Sequence, residues 1–154
     1  MRAVVQRVSR AAVSVDGQVC GACGEGFFIL LGVADGDTRE DAELLAAKIA
    51  KMRIFSDENG KMNRSVTDVG GSALVVSNFT LLANYRHGNR PDFFGAAAPA
   101  LANELYEYFV QLLRTQIGSV GTGIFGADMK IETVCDGPVT IVVESEVLKK
   151  GKAM

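Results

Sequence analysis

The chain has 154 residues, enough for one domain and too few for two of ordinary size. Its 16 basic and 18 acidic side chains give a net charge of −2. This argues against a surface that coats nucleic acid but leaves room for a small site that grips one RNA end. The one histidine, His87, argues against a Ser-His-Asp triad and excludes a metal site with two imidazoles. Glycine is frequent, at 17 residues, so we expect the function to depend on backbone geometry more than on reactive side chains.

The sequence predicts neither a signal peptide nor a membrane span. Residues 1–5 carry one charge and then alternate, and the chain holds no run of about 18 apolar residues. The cysteines are odd in number and the chain is long enough to fold without disulfides, which suits a reducing compartment. We therefore expect a cytoplasmic protein.

Apolar residues at a period of two predict strands through the first part of the chain. A break near Ser9 and Arg10 divides the first run in two, and Asp16-Gly17 predicts a type I′ hairpin turn before the third strand. The fourth run is apolar throughout, as in a buried strand. These predicted strands cover residues 2–8, 11–15, 18–22 and 27–33.

Two helices are predicted from apolar positions three and four residues apart. Asp37, with Glu40 three residues later, predicts a capping box at the start of the first helix. Pro99 suits the first turn of the second helix, and Gly118 ends it. Their apolar sides are predicted to be Ala42, Leu45, Ile49 and Met52, and Leu101, Leu105, Phe109, Leu112 and Leu113.

The remaining elements complete an α+β pattern. Strands are predicted over 73–79, 130–134 and 139–143, turns at Asn59-Gly60, Gly70-Gly71 and 120–123, and a long polar loop over 84–95. Strands in runs favour an α+β fold of mostly antiparallel sheets forming a partly open barrel, with two main helices packed on one side. We predict one domain over residues 1–146 and a basic C-terminal tail over 147–154, frayed from Leu148 onward.

Two motifs have a plain structural interpretation beside a functional one. Cys20 and Cys23 are spaced like a redox or zinc pair, but neither a helix nor a second pair follows, so structural thiols are favoured. His87 is predicted to be an exposed loop residue rather than a general base. Arg86 and Arg90 beside it are either phosphate contacts or solvated side chains.

Two further motifs lie where predicted strands end. Ser77 and Thr80 follow a buried strand, where hydroxyls serve either an active site or backbone capping. Gly137-Pro138 separates the last two strands. It is either an ordinary tight turn or a cis peptide that fixes two carbonyls in an unusual orientation.

Taken together, these motifs resemble the D-aminoacyl-tRNA deacylase family, also called D-tyrosyl-tRNA deacylase, over residues 1–145. The resemblance is carried by Arg7, Ser77-Asn78-Phe79-Thr80-Leu81, Arg90-Pro91, Phe125-Gly126-Ala127-Asp128-Met129 and Gly137-Pro138-Val139-Thr140. It implies a homodimer that hydrolyses the ester between a D-amino acid, or glycine, and the terminal adenosine of tRNA. It implies no metal and no other cofactor.

The resemblance also implies roles for the matched residues. A Gly-cis-Pro dipeptide enters the partner subunit's pocket, meets the amino end of the substrate and leaves no room for an L side chain, and Arg7 holds this dipeptide. Phe125 and Met129 house the adenine. The implied catalytic residues are Thr80, Ser77 and Phe79, and the implied substrate-binding residues are Gly137, Pro138, Thr140, Arg7, Asn78, Phe125 and Met129.

Two positions depart from the family pattern. Asn78 stands in place of Gln, and its side chain is one methylene shorter, so we expect a contact with substrate or loop to be lost. Cys135 stands in place of Asn, which exchanges an amide able to brace the Gly-Pro turn for a weakly hydrogen-bonding thiol. These changes concern the rate more than the identity of the reaction.

The mechanism and two rival functions stay open. The backbone N–H groups of Phe79 and Thr80 are the expected oxyanion donors. Thr80 is either the nucleophile or a positioning group while the adenosine 2′-hydroxyl assists water, and the single histidine favours the second. The rival functions are a catalytically weakened dimer that binds an RNA 3′ end or nucleotide, and a thiol-dependent hydrolase that uses Cys135.

Overall fold

The protein is built on one strongly curved sheet with helices packed against it, and the computed structural model describes residues 1–152. The strands are β1 (Arg2–Val15), β2 (Gln18–Cys23), β3 (Gly26–Gly32), β4 (Phe55–Ser56), β5 (Met62–Arg64), β6 (Ser72–Ser77), β7 (Val120–Thr122) and β8 (Lys130–Glu144). The helices are α1 (Arg39–Lys51), α2 (Pro99–Gln116) and α3 (Ser145–Lys152), and a short 3₁₀ helix covers Phe79–Leu82.

Strand β1 organises the sheet. Its first half pairs antiparallel with β3, its second half pairs antiparallel with β2, and β8 runs antiparallel along most of its length. Strands β6 and β7 continue the sheet beyond β3 as parallel neighbours. Strands β4 and β5 form a separate two-stranded hairpin.

Glycine lets the two ends of the sheet approach each other. A Cβ on Gly21 of β2 would overlap the carbonyl oxygen of Thr122, and a Cβ on Gly121 of β7 would lie 2.8 Å from the carbonyl oxygen of Ala22. Both glycines therefore permit a contact between β2 and β7 that a side chain would block. The predicted fold class, a mostly antiparallel α+β fold with a partly open barrel, is confirmed.

Apolar side chains fill both faces of the curved sheet. The larger core lies between the sheet and helices α1 and α2, and the smaller core lies inside the curve. The larger core includes Phe27, Ile29, Leu45, Ile49, Phe109 and Leu113, and the smaller consists of Val8, Ala11, Val13, Phe28, Leu74 and Val76. Within residues 1–152, the helices are too short or too polar to cross a membrane.

The predicted hairpin at Asp16-Gly17 is confirmed, with φ values of 50° and 80°. Three other strand predictions are wrong. Strand β1 continues through Ser9 and Arg10, whose exposure breaks the apolar alternation, and the irregularity appears instead in its pairing with β8. Residues 120–122 are strand β7 rather than a turn, because they pair with β6. Strand β8 is continuous from Lys130 to Glu144, but its residues 136–139 lie opposite the single residue Arg7 of β1, so Gly137-Pro138 lies in a bulge of one strand instead of in a turn that joins two antiparallel ones.

The start of α1 also differs from the prediction. Thr38 is the N-cap, and its N–H donates to Oδ2 of Asp41 at 2.8 Å. Asp37 instead accepts the amino group of Met1 at 2.9 Å and the N–H of Ala34 at 2.7 Å. Asp37 therefore ties β1 to the loop before the helix, and Glu40 takes no part in the cap.

The frayed tail predicted from Leu148 onward is helical as far as the structure describes it. Helix α3 spans the predicted boundary at residue 146, and Leu148 packs against the main core. Lys149 pairs with the buried carboxylate of Asp41, 2.9 Å away. These two anchors explain why the segment is ordered, and residues 153–154 lie outside the described part of the chain.

Candidate active site

An open cavity of about 1030 Å³ lies at the carboxyl ends of the parallel strands β3 and β6. Its wall continues through the 3₁₀ helix, the segment 93–99, the first turns of α2, and residues 125–131. Parallel strands end at the same edge of a sheet, which is why two chain segments far apart in sequence deliver backbone groups to one place. Of the predicted site residues, the cavity contains Ser77, Asn78, Phe79, Thr80, Phe125 and Met129.

Asn78 organises the floor of this cavity. Its N–H donates to the carbonyl oxygen of Leu31 at 2.8 Å, which joins the end of β6 to β3. Its side-chain oxygen accepts hydrogen bonds from the N–H of Thr80, at 3.2 Å, and from the Thr80 hydroxyl. Asparagine is a favoured helix N-cap because its short side chain reaches the backbone two residues on. The shorter amide is therefore used locally, to cap the 3₁₀ helix.

This arrangement changes the expected set of oxyanion donors. The N–H of Thr80 is occupied by Asn78, so half of the predicted pair is already bonded. Phe79 is the first residue of the 3₁₀ helix, and the first N–H groups of a helix have no acceptor within it. The N–H of Phe79 is therefore the backbone donor that this turn leaves for a ligand.

Aromatic side chains form much of the cavity wall. Phe79 is 59% exposed and meets Phe93 edge to face, with ring centroids 5.2 Å apart. Phe125 lies against Tyr106, with centroids 6.0 Å apart. The exposed ring of Phe79 and the half-buried side chains of Phe125 and Met129 suit a flat, partly apolar ligand such as a nucleobase.

The cavity offers little acid–base chemistry. Among its lining residues, all in the described part of the chain, the carboxylates are Asp35 and Asp128, both exposed. The Tyr106 hydroxyl donates to the carbonyl oxygen of Val75 at 2.8 Å, and burial raises the pKa of Tyr106 to about 12. Tyr106 thus stays neutral at ordinary pH, and its hydroxyl serves as a structural hydrogen-bond donor.

The other predicted site residues lie together elsewhere, around the middle of β8. The Gly137-Pro138 peptide is cis, and both residues are exposed. The half-buried Arg7 donates from Nε to the carbonyl oxygen of Asp136 at 3.0 Å and from Nη1 to the carbonyl oxygen of Ile54 at 2.8 Å. One guanidinium therefore anchors the backbone beside Gly137-Pro138 to the loop after α1.

The two groups of residues do not meet within one chain. Ile131 of β8 lines the cavity, and Gly137 lies six residues farther along the same strand. At about 3.3 Å per residue, this separation is roughly 20 Å. Thr140 lies still farther on, opposite Gln6 of β1.

The remaining motif residues lie outside the cavity. Cys135 is exposed, and its thiol lies 3.7 Å from the Thr133 hydroxyl. Cys20 and Cys23 are free thiols whose sulfurs bond to backbone carbonyls, and burial raises the pKa of Cys23. His87 is exposed, as predicted. Within residues 1–152, no three His, Cys, Asp or Glu side chains cluster as metal ligands.

Comparison with known proteins gives this arrangement a family. The profile of the family described as D-Tyr-tRNA(Tyr) deacylase matches residues 4–144. This chain belongs to the D-aminoacyl-tRNA deacylase family. It is 59% identical over 145 residues to the D-aminoacyl-tRNA deacylase of Anaeromyxobacter dehalogenans, covering 94% of this chain and 97% of the relative. It is 58% identical over 141 residues to that of Ruegeria pomeroyi, covering 92% and 97%.

Two solved structures share the fold of this chain. One described as c-Myc DNA Unwinding Element Binding Protein superposes with a TM-score of 0.88 at 41% identity, covering 94% of this chain and 98% of that one. Another, described as a probable eukaryotic D-amino acid tRNA deacylase, has a TM-score of 0.82 at 16% identity, covering 93% and 98%. At that identity the second shows that the fold of the deacylase family is shared.

Sequence reasoning missed several residues of the deacylase cavity. Phe93 and Tyr106 line it, but a phenylalanine in a loop and a tyrosine on the apolar side of a helix carry no signal of their own. The capping role of Asn78 was open to prediction, because asparagine directly after a strand is a favoured helix N-cap residue.

Proposed function

We propose that this protein hydrolyses the ester bond of D-aminoacyl-tRNA and releases a free D-amino acid and tRNA. Membership of the D-aminoacyl-tRNA deacylase family supports this reaction. The observation that carries the proposal is the turn from β6 into the 3₁₀ helix, where Asn78 fixes Thr80 and the N–H of Phe79 is left for a ligand. An ester carbonyl seated there has a hydrogen-bond donor for the oxyanion that develops during attack.

Water is the proposed nucleophile, with the adenosine 2′-hydroxyl assisting its attack. The Thr80 hydroxyl donates its hydrogen bond to Asn78, so its oxygen is left to accept a hydrogen bond from the ligand. The lining residues supply no buried base to activate Thr80 as a nucleophile. Water adds to the carbonyl carbon, the bond to the ribose oxygen breaks, and that oxygen takes a proton. The products are a carboxylic acid and a free hydroxyl.

Chiral selection is proposed to come from a second copy of the chain. Gly137 and Pro138 are exposed main-chain groups anchored by Arg7, and they lie too far along β8 to enter the cavity of their own subunit. In a homodimer they would enter the partner's cavity and exclude an L side chain by contact. Glycine has no side chain to exclude, so glycyl-tRNA is a second proposed substrate. Phe125 and Met129 are proposed to hold the terminal adenine.

The deciding assay compares D-Tyr-tRNA, L-Tyr-tRNA and Gly-tRNA under single-turnover conditions. We expect hydrolysis of the D-tyrosyl and glycyl esters and at least a hundredfold slower hydrolysis of the L-tyrosyl ester. Equal rates for the D and L esters would contradict selection by exclusion. Binding of a tRNA 3′ end without hydrolysis of any ester would establish the catalytically weakened binder instead. The proposed setting is a cytoplasmic, tRNA-binding homodimer.

Complementation tests whether two copies build each site. Thr80→Val damages the cavity, and Gly137→Ala damages the dipeptide, because φ at Gly137 is +137° and a Cβ there would lie 2.6 Å from the nitrogen of Val139. In a mixed dimer one site receives both intact parts, so co-expression of the two impaired variants should give about a quarter of the sites the rate and the D-over-L ratio of the unmodified protein. Sites confined to one chain would stay inactive in the mixture. Expression of each variant alone is the control.

A further inference from the structure

A closed loop projects from the rim of the cavity. Asn84 and Asp92 pair as an isolated bridge, with backbone hydrogen bonds of 2.8 and 2.9 Å. Their side chains meet at 3.3 Å, and the side-chain oxygen of Asn84 also accepts the N–H of Arg86 at 3.2 Å. The intervening residues, 85–91, are here called the tip. These hydrogen bonds therefore fix the base of the loop, and the tip projects from it.

The composition of the tip is unlike that of the chain as a whole. All seven residues are exposed, and they include two arginines, Arg86 and Arg90, together with His87, but no carboxylate. The tip therefore carries a local charge of about +2 in a chain whose net charge is −2. Tyr85 is 79% exposed. Asp92, the nearest carboxylate in sequence, is engaged in the bridge at the base.

The tip is continuous with the cavity wall. Phe93 and Phe94 follow the base directly and line the cavity, and Phe94 is 88% exposed. The N–H of Phe94 donates to Oδ1 of Asp92 at 3.3 Å, and the carbonyl oxygen of Gly95 accepts the N–H of Asp35 at 2.9 Å. When the end of a polymer occupies the cavity, the rest of the polymer therefore leaves first past an aromatic rim and then past the cationic tip.

We infer that Phe94 and the tip bind the single-stranded nucleotides that precede the terminal adenosine of the tRNA. Arg86 and Arg90 pair with phosphates, and Tyr85 and Phe94 stack on bases. Cations beside exposed aromatic rings, with no free carboxylate among them, suit single-stranded nucleic acid, because its phosphates pair with the cations and its bases stack on the rings. An acidic peptide would use the cations but would not need the rings. Stacking tolerates any base, so this surface adds affinity without selecting a sequence. The inference rests on the proposed function for the identity of the RNA.

The test compares binding of uncharged tRNA with binding of adenosine alone. The double variant Arg86→Gln/Arg90→Gln should bind tRNA at least tenfold more weakly than the unmodified protein and should keep its affinity for adenosine. Two lost phosphate contacts on a single strand should make the slope of log K against log salt shallower by about 1.4. Tyr85→Ser should weaken tRNA binding about tenfold with the slope unchanged.

A matched control removes the same charge elsewhere. Lys48 and Lys51 are exposed on α1 and lie outside the cavity lining, so Lys48→Gln/Lys51→Gln should leave both affinity and slope nearly unchanged. Equal losses in the two double variants, or no loss in the tip variant, would overturn the inference. Failure of the unmodified protein to bind tRNA would also overturn it. If the tip variants weaken tRNA binding as expected but no ester is hydrolysed, the inference stands and the proposed reaction fails.

Discussion

The Ser145 hydroxyl donates a 2.6 Å hydrogen bond to the buried carboxylate of Asp41, which lies 104 residues earlier in the chain. The same carboxylate accepts Lys149 at 2.9 Å and the N–H of Thr38 at 2.8 Å. Burial favours the neutral acid, but these bonds and the nearby amino group of Met1 outweigh it and hold the pKa of Asp41 well below its usual range. Asp41 therefore joins α1, α3 and the start of β1 through its charge.

This depressed pKa makes the stability of the protein depend on pH. The ionised form is favoured in the folded state, so its contribution is present above the ordinary aspartate pKa of 3.8 and is lost as pH falls through the folded-state pKa. We expect Asp41→Asn to lower the free energy of unfolding by about 2 kcal/mol at pH 7. The difference should shrink as pH falls from 5 toward 2, measured by urea denaturation. Glu40→Gln, one residue earlier and exposed, is the control; a difference independent of pH would contradict the account.

Asn78 is expected to act through the oxygen of its side chain. Asn78→Ala removes the cap from the 3₁₀ helix and frees Thr80, so kcat should fall at least tenfold with little change in KM, and the unfolding free energy should fall by about 1 kcal/mol. Asn78→Asp keeps the capping oxygen and should keep the stability. Loss of stability in both variants, measured by thermal unfolding, would show that the amide nitrogen matters instead.

Arg7 is expected to fix the Gly137-Pro138 dipeptide by bonding two carbonyls at once. Lysine carries a single ammonium group and lacks the planar fork, so Arg7→Lys should loosen the dipeptide. The ratio of the kcat/KM values for D-Tyr-tRNA and L-Tyr-tRNA should fall at least tenfold. Arg10→Lys, exposed on the same strand, should leave this ratio unchanged. An unchanged ratio in Arg7→Lys would show that Arg7 does not contribute to the selectivity for D-Tyr-tRNA.

Tyr106 is expected to stabilise the cavity without taking part in proton transfer. Its pKa is raised to about 12 by burial, so it stays neutral across the assay range. Tyr106→Phe removes the shorter of the two hydrogen bonds that the carbonyl oxygen of Val75 accepts and leaves it only the N–H of Gly123 at 3.3 Å, so the unfolding free energy should fall by about 1 kcal/mol. The pH profile of kcat/KM should keep its shape. A shift of its alkaline limb would identify Tyr106 as a catalytic acid.

Cys135 is expected to be dispensable for the chemistry. It is exposed outside the cavity of its own subunit, so Cys135→Ala should retain deacylation within about twofold, measured on D-Tyr-tRNA. Cys135→Asn, which restores the amide of the family pattern, should be at least as active as the unmodified protein. A hundredfold loss in both variants would support the thiol-dependent hydrolase.

The elements that could be predicted are those whose pattern is set within their own residues. Strand β3 is a continuous apolar run, and α1 and α2 repeat apolar residues at helical spacing. Strand β7 could not be predicted, because its short glycine-containing sequence resembles a turn and is held extended by pairing with β6. Helix α3 has eight residues and depends on Asp41, far away in the chain.

The site was predictable to a similar extent. The sequence motifs identified the residues at the end of β6 and around Gly137, because the resemblance rests on short contiguous segments. The resemblance implies that Gly137-Pro138 serves the partner subunit's pocket, but the residue patterns alone did not separate the two groups, because the separation depends on residues 131–135 running extended beside β1. They also did not show that the Thr80 N–H is occupied, because that bond depends on the backbone direction after Asn78.

The paired run of β8 that leads from Ile131 to the bulge at Gly137 fixes the distance between these two residues. Residues 131–135 pair with β1 and their side chains alternate between two faces, so one residue inserted or removed there would shift this pairing and displace the bulge that holds Gly137. Such a change would keep every motif letter intact and still misdirect the dipeptide. The number of residues between Ile131 and Gly137 therefore matters as much as their identities for where the dipeptide lies.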